Sequence, residues 1–500
     1  MMPVPDIRVQ TCNTAPVNAL GDFVLYWMIA HRRTQWNFSL QRAVEYAQQL
    51  NKPLIVLEAL RCDYRWASDR LHRFVIEGMR DNAERLQKTK VFYYPYIEPA
   101  RNAGKGLLAA LSRHACVVVT DDFPAFMLPP MIAAAARQLN VRLEKIDSNG
   151  ILPMRAAGQV FPTAYAFRRF LQKNLHAHLQ AFPLADPLRR VSLPVLASLP
   201  KQILERWPRA TEALFAGEKA AMRKLPIDHS VGTVTTRGGP AAAQETLRNF
   251  LEHRLFRYAD ERNQPQQEVA SGLSPYLHFG HISTHQVFAE LMQRENWSPA
   301  LLPPKGSGAK EGWWGVSAPA ESFLDEFVTW REVGYNFCSQ RGDYDQFESL
   351  PNWAQQTLAK HARDRREHVY SRAQFENAET HDALWNAAQM QLLVEGRVHN
   401  YLRMLWGKKI LQWSRTPQAA LELMIELNNK YALDGRNPNS YSGIFWVLGR
   451  YDRPWHPERP VFGVIRYMSS ENTARKVRVR EYINKYLGFK TPTLFDEGST

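Results

Sequence analysis

The sequence predicts a chain of two fold classes, α/β followed by all-α. An amino-terminal Rossmann-like domain on a doubly wound parallel sheet leads through a long linker to a carboxy-terminal all-helical domain. Three observations predict this. Apolar runs suited to strands buried on both faces alternate with helical stretches over the first third of the chain. Residues 184–245 are dense in Pro, Gly and Ser, as a surface connection would be. From Glu245 onward leucines and aromatics recur at three- and four-residue spacing almost to the end. The length agrees, since 500 residues exceed what one hydrophobic core usually supports.

The elements follow in order. FVLYWMI (Phe23 to Ile29) is a continuous apolar run and reads as the first buried strand. His31, Arg32, Arg33 and Asn37 precede a helix in SLQRAVEYAQQL, with Ser39 as its expected cap. PLIVLEAL, KVFYYPYI, CVVVTDD and VRLEKID are further strands, separated by helices around HRFVIEGMRDNAERLQ, LLAALSRHA and MIAAAARQL. Such alternation means right-handed βαβ units. The domain is placed at 20–165, the linker at 166–244 and the helical domain at 245–490. Residues 296–320 interrupt the helical pattern and read as a flexible insertion. No GxGxxG follows the first strand, so an ordinary dinucleotide-binding turn is excluded. A ligand of this domain would sit at the carboxyl ends of the strands.

Composition narrows the function classes. The four cysteines are scattered, without the spacing of a zinc site or a disulfide framework. The first residues lack a signal pattern and no apolar run reaches membrane-spanning length, so a soluble, cytoplasmic protein is expected, with no metal and no membrane partner. The net charge of +14 favours a polyanionic partner, nucleic acid first.

Several stretches could carry chemistry. In SGLSPYLHFGHIS, Ser274 before Pro275 reads as a hydroxyl cap on a helix that starts with proline. Ser271, Gly272 and Ser274 would gather hydroxyls and amides where a helix dipole favours phosphate; a capped structural helix is the plainer reading of the local pattern. In ESFLDEFVTWREVGYNFC, Phe323, Phe327 and Trp330 share a helical face with Glu326 nearby. Glu326 is either solvated surface or a carboxyl among aromatics with a raised pKa that donates a hydrogen bond. Trp385, Trp406, Trp413 and Trp446 crowd the stretch from Leu384 onward. Trp406 and Trp413, seven apart, lie on nearly one face about 10 Å apart along the axis. They fill a helical core or line an aromatic pocket. Asn428 and Asn429, inside an apolar helix, need hydrogen-bond partners.

The ordered motifs SGLSPYLHFGHIS, FLDEF with WREVGYNFC, YSRAQFENAETHDALWNAAQ, GRVHNYLRMLWGKKILQW, LNNKYALDGRNPNSYSGIFW and ERPVFGVIRYM resemble the flavin-dependent photolyase and cryptochrome family. Within it they are similar to the class II cyclobutane pyrimidine dimer photolyases. The first strand with Arg33 and Asn37 fits the family's amino-terminal antenna domain. The resemblance implies FAD in the helical domain and an antenna chromophore, a deazaflavin or a folate, in some members. It implies that light drives an electron from reduced FAD into a dimer flipped out of UV-damaged double-stranded DNA, splitting it. A monomer is expected.

Residue roles follow from that resemblance. Tyr258, Ser271, Gly272, Leu273, Ser274, Arg331, Asn336, Asp434 and Arg436 would hold FAD, and Asn428 would face the flavin N5. Glu326 would bond the dimer's carbonyl, with Trp330 and Trp446 against the flipped bases. Trp406, Trp385 and Trp413, with Tyr370 beside them, would carry electrons inward. Arg453 and Arg466 would meet DNA. The basic tail Arg475, Lys476, Arg478 and Arg480 fits a phosphate-tracking surface or a solvated helix face. Leu405, Asn429, Asn437, Ser440 and Val464 depart from the family's usual residues. The rival function is a cryptochrome-like photoreceptor with the same flavin and tryptophans. A helical nucleic-acid-binding protein without cofactor is a third reading.

Overall fold

A computed structural model of the chain describes residues 3–488. It divides into two compact units: Met1–Gln159 with Arg169–Leu251 and Ser271–Ser317, and Val160–Arg168 with Glu252–Ala270 and Ala318–Thr500.

The first unit holds a six-stranded sheet of β1 (Val9–Thr11), β2 (Phe23–Met28), β3 (Leu54–Leu60), β4 (Phe92–Ile97), β5 (Ala115–Asp121) and β6 (Leu143–Ile146). Its order is β1-β6-β5-β2-β3-β4. Strands β2 to β6 run parallel, as the βαβ alternation predicts. The short β1 adds an antiparallel edge to β6. Alternate residues of β2 explain its unbroken apolar run. Val24, Tyr26 and Met28 pack on one face with helix α1 (Phe38–Gln49), and Phe23, Leu25 and Trp27 join the core of the other. Pro95 sits in β4, an edge strand, where its missing N–H costs least.

The expected cap of α1 is corrected. Asn37, not Ser39, precedes the helix, and its side-chain oxygen accepts from the amides of Ser39 (2.9 Å) and Leu40 (3.2 Å). Its Nδ2 donates to the Tyr26 hydroxyl and to the carbonyls of His31 and Arg33. One carboxamide thus caps the helix and binds the turn leaving β2. At the switch point of the sheet, between β2 and β5, Asp121 accepts from the Tyr26 hydroxyl (2.8 Å) and from the amides of Ile29 (2.9 Å), Ala30 (2.8 Å) and His31 (2.9 Å). Burial opposes that charge, but His31 and the amides outweigh it and hold the carboxyl below its ordinary range.

The Pro- and Gly-rich stretch lies against the sheet unit through regularly placed apolar side chains. Leu199, Ile203 and Trp207 enter the core beside Tyr94 and Tyr96, and Phe215, Met222 and Leu225 pack with Ile76, Met79 and Ile97. The insertion expected to be flexible is also anchored. Trp313 and Trp314 are buried, Trp297 donates to the Trp314 carbonyl, and Gln172 bonds Ala309 and Gly308. Two large side chains removed from water outweigh the local turn composition.

The second unit is helical. Its principal helices are α2 (Ala318–Leu324), α3 (Arg331–Gln340), α4 (Ala383–Glu395), α5 (Asn400–Trp413), α6 (Pro417–Tyr431) and α7 (Pro438–Val447). Their core gathers Trp385, Trp406, Trp413, Met424 and Phe445. A β-carbon on Gly407 would lie 2.6 Å from Val447, so only glycine lets α5 approach α7 this closely.

Asp121→Ala is expected to destabilise the protein by about 3–5 kcal/mol, because it strands three buried amides and a hydroxyl. A depressed carboxyl contributes stability above its unfolded pKa and loses it as pH falls through the folded one. The gap between wild type and variant in denaturant melts should therefore be full at pH 7 and shrink under strong acid. A gap that does not change with pH would contradict the charged state of Asp121.

Candidate functional site

The candidate residues Glu326 and Trp330 lie where α2 passes into α3 through a π-helical turn, Asp325–Trp330. Such single turns place one extra residue in the helix and are frequent at functional sites. Phe323 and Phe327 nonetheless share a face as expected, their rings stacked 5.2 Å apart. Glu326 Oε1 lies 2.5 Å from Arg262 Nη1, and both side chains keep 28% exposure. Its Oε1 accepts a charged hydrogen bond from the guanidinium, so this oxygen is engaged within the protein. Arg262 was missed, being 64 residues away in sequence, and YADERN carries no periodic signal that would select it. Tyr258 is buried edge-on to Phe323, which stacks on Phe327. Burial first, and then Glu326, push the Tyr258 phenol well above its ordinary range.

The end of α6 supplies a second group. Asn428 and Asn429 are both buried. Asn429 Oδ1 accepts from the Arg436 amide (2.7 Å) and from Asn428 Nδ2 (3.3 Å), and its Nδ2 donates to the Tyr441 hydroxyl (3.2 Å). Arg436 has φ +64° and donates to the carbonyls of Asn429, Ala432 and Leu433, closing the helix end. Asp434 is paired with Arg403, with Nη2 to Oδ1 at 3.0 Å, another residue that sequence reasoning did not single out. Asn437 caps α7 and donates to Tyr335, and Ser440 bonds the Asp434 carbonyl. Three of the family departures, Asn429, Asn437 and Ser440, thus belong to one hydrogen-bonded turn. Arg331 lies over the Tyr335 ring at 4.4 Å, and Asn336 is buried on the same helix, α3.

The tryptophans separate by geometry. Trp385 and Trp413 rings lie 5.9 Å apart, and Trp413 and Tyr370 rings 5.5 Å apart. Phe375 adjoins both Trp385 and Trp413. Trp406 is tied in differently, because its carbonyl accepts from the Trp385 indole (3.0 Å) and its own indole donates to Gln389 (2.9 Å). Trp446 is half-buried between cations, with Lys408 Nζ 5.0 Å and Arg466 5.6 Å from its ring. Arg466 also pairs with Asp452 (2.9 Å) and lies over the Trp455 ring, as Arg453 does. Trp455 and Lys408 were not singled out by the sequence reading. Lys408 is fully buried, donates to the Val447 carbonyl (2.6 Å), and burial pushes its ammonium down to about 7. Arg475, Lys476, Arg478 and Arg480 are exposed, alternating with buried Val477 and Val479.

Ser271, Gly272, Leu273 and Ser274 belong to the first unit. Gly272 has φ +71°, and Leu273, not Ser274, precedes the short helix Ser274–His278, without a side-chain cap. Ser274 is therefore the first helical residue rather than its cap. The left-handed turn at Gly272 sends the buried Leu273 into the preceding place. Among the described residues no helix is long and apolar enough to cross a membrane, and no group of His, Cys, Asp or Glu could hold a metal ion.

Asn429→Ala is expected to cost about 2–4 kcal/mol in denaturant melts, since the Arg436 amide and the Tyr441 hydroxyl both lose a buried partner. A cost below about 0.5 kcal/mol would mean that the turn does not depend on this amide.

No protein-family model matches the chain. It is 33% identical to a deoxyribodipyrimidine photo-lyase of Methanothermobacter thermautotrophicus over 481 residues, covering 96% of this chain and 98% of the relative. It is 31% identical to one of Potorous tridactylus, covering 92% and 80%, and 33% identical to one of Oryza sativa subsp. japonica, covering 93% and 87%. A bacterial class III photolyase structure from Agrobacterium tumefaciens superposes with a TM-score of 0.64 at 16% identity, over 94% of this chain and 87% of that one. At that identity the likeness bears on the fold alone.

Proposed function

We propose, from the premise that this chain belongs to the photolyase and cryptochrome family and is a photo-lyase, that it repairs cyclobutane pyrimidine dimers in DNA by light-driven electron transfer, as the class II members do. The observation that carries the reading is Asn428. Its carboxamide is 4% exposed, yet among the described residues its side chain makes one hydrogen bond, at 3.3 Å. A buried carboxamide has capacity for more, both as donor and as acceptor. It suits a heteroaromatic nitrogen that changes protonation, as in FAD. Tyr258, Arg331, Asn336 and Asp434, in the same unit, would hold that cofactor with it. Arg436 would act on it through the turn that it closes. FAD, when bound, supplies the photoexcited electron.

The remaining steps rest on the chain's own groups. Trp330 and Trp446 offer half-buried aromatic walls to bases taken out of the stack. Glu326 and Arg262 together present an acceptor and a donor, suited to the N–H and carbonyl edge of a pyrimidine. Arg453, Arg466 and the exposed tail cations would neutralise backbone phosphate. Trp385, Trp413 and Tyr370 form a series of ring contacts along which an electron could pass, and Trp406 fixes Trp385 in place.

Illumination of the reduced protein with dimer-containing DNA should remove dimers, and no light-dependent loss with flavin bound would sink the proposal in favour of a photoreceptor. Glu326→Ala should lower the repair yield by about tenfold or more, the worth of one charge-assisted hydrogen bond, while flavin absorbance stays. Asn428→Asp should also lower it, because a carboxylate cannot donate. Trp413→Phe should slow photoreduction of the flavin and leave repair by chemically reduced protein intact. Loss of both would assign Trp413 to core packing alone.

A further inference from the structure

Tyr370 closes the outer end of the aromatic series, and its surroundings differ from those of the tryptophans. Its hydroxyl is hydrogen-bonded to Nδ1 of His381 and accepts from the backbone N–H of the same residue at 3.1 Å. The His381 ring lies 5.1 Å from Trp413 and 3.9 Å from His368. Lys409 Nζ lies 5.1 Å over the Trp413 ring, with Asp382 3.8 Å from that ammonium. Trp413 is buried, so a cation this near disfavours positive charge on its indole. A positive hole that reaches Trp413 therefore has reason to leave it. The adjoining phenol has a base in hydrogen-bond contact.

We infer that Tyr370 is the terminal electron donor of the series and that His381 is the base that takes its proton. The inference rests on the proposed electron path through Trp385 and Trp413. In the step, Trp413 oxidised to its indole radical cation takes one electron from Tyr370. The phenol O–H bond breaks and its proton passes to His381 Nδ1. The products are neutral Trp413, a neutral tyrosyl radical and a protonated His381, with one positive charge before and after. The charge moves from a buried indole to an exposed imidazole that can release its proton to water.

The groups facing His381 decide its readiness as a base. Burial, His368 and Lys409 disfavour its charged form, Asp382 and Glu471 favour it, and the balance lowers its pKa below the ordinary histidine range. His381 is then neutral at pH 7, and in the Nε2–H tautomer its Nδ1 accepts from the phenol. As pH falls through the lowered value the acceptor site becomes occupied and the transfer should stop.

The test is flash photolysis of the flavin-loaded full chain, followed by transient absorption and paramagnetic resonance, for wild type, Tyr370→Phe and His381→Gln. In wild type a tryptophan radical should give way to a neutral tyrosyl radical, more slowly in D2O and not at all in mild acid. In Tyr370→Phe the tryptophan radical should persist. In His381→Gln the conversion should slow by about a hundredfold, the usual worth of a positioned base. Conversion at the wild-type rate in His381→Gln, or a persistent tryptophan radical in wild type at pH 7, would overturn the inference while leaving the electron path standing. Absence of any tryptophan radical in all three proteins would instead remove the path, and the inference with it. A readout needing neither light nor flavin is the 15N resonance of His381 Nδ1, identified by its loss in His381→Gln. It should shift between wild type and Tyr370→Phe, and an unchanged resonance would exclude the hydrogen bond.

Discussion

A single uncharged side chain, Asn429, holds together the turn that joins α6 to α7. Its carboxamide reaches the Arg436 amide, the Tyr441 hydroxyl and the neighbouring Asn428. Helix α6 would otherwise end in unsatisfied carbonyls. Arg436 turns back in a left-handed conformation to cover them, and Asn429 anchors that return. Asp434 and the start of α7 are carried on the same turn. Asn428 is held in place by its bond to Asn429 and by its position on the last buried turn of α6. A carboxylate at 429 could accept these bonds but could not donate to Tyr441, so the amide sets the direction of the network.

Paired charges and rings do the remaining positioning. The π-helical turn before α3 brings Glu326 to Arg262, which lies far away in sequence. A half-buried pair that water still reaches adds little stability, and its effect is to hold an acceptor and a donor side by side. Trp446 is set between Lys408 and Arg466 in a comparable way. Burial brings the Lys408 ammonium down to about 7, so the charge beneath that ring is itself sensitive near neutral pH.

The tryptophan-rich stretch is core, and its rings are also in contact with one another. Trp385, Trp406 and Trp413 are all buried core, as the simplest reading of their spacing requires. Core packing and electron passage are not alternatives here, because close-packed rings are also the rings that touch. Seven-residue spacing put Trp406 and Trp413 on one face, but the ring contact is between Trp413 and Trp385 on α4, with Trp406 tied in by hydrogen bonds. In the first unit Asp121 plays an analogous organising part, gathering the end of β2 at the point where the sheet changes direction.

The fold class, the five parallel strands, most helices and the family were legible in the sequence, because apolar periodicity and local motifs are properties of neighbouring residues. Asn428, Trp330 and Trp446 could be singled out by likeness to a family, while Arg262, Arg403 and Lys408 could not. What only the tertiary structure decided is pairing across distance. It chose Asn37 over Ser39 as a cap, seated Trp313 and Trp314 in a stretch that looked flexible, brought Arg262 to Glu326 and Arg403 to Asp434, and set His381 against Tyr370. A hydrogen bond depends on ångström-scale geometry between elements, and no local pattern of residue types encodes that geometry.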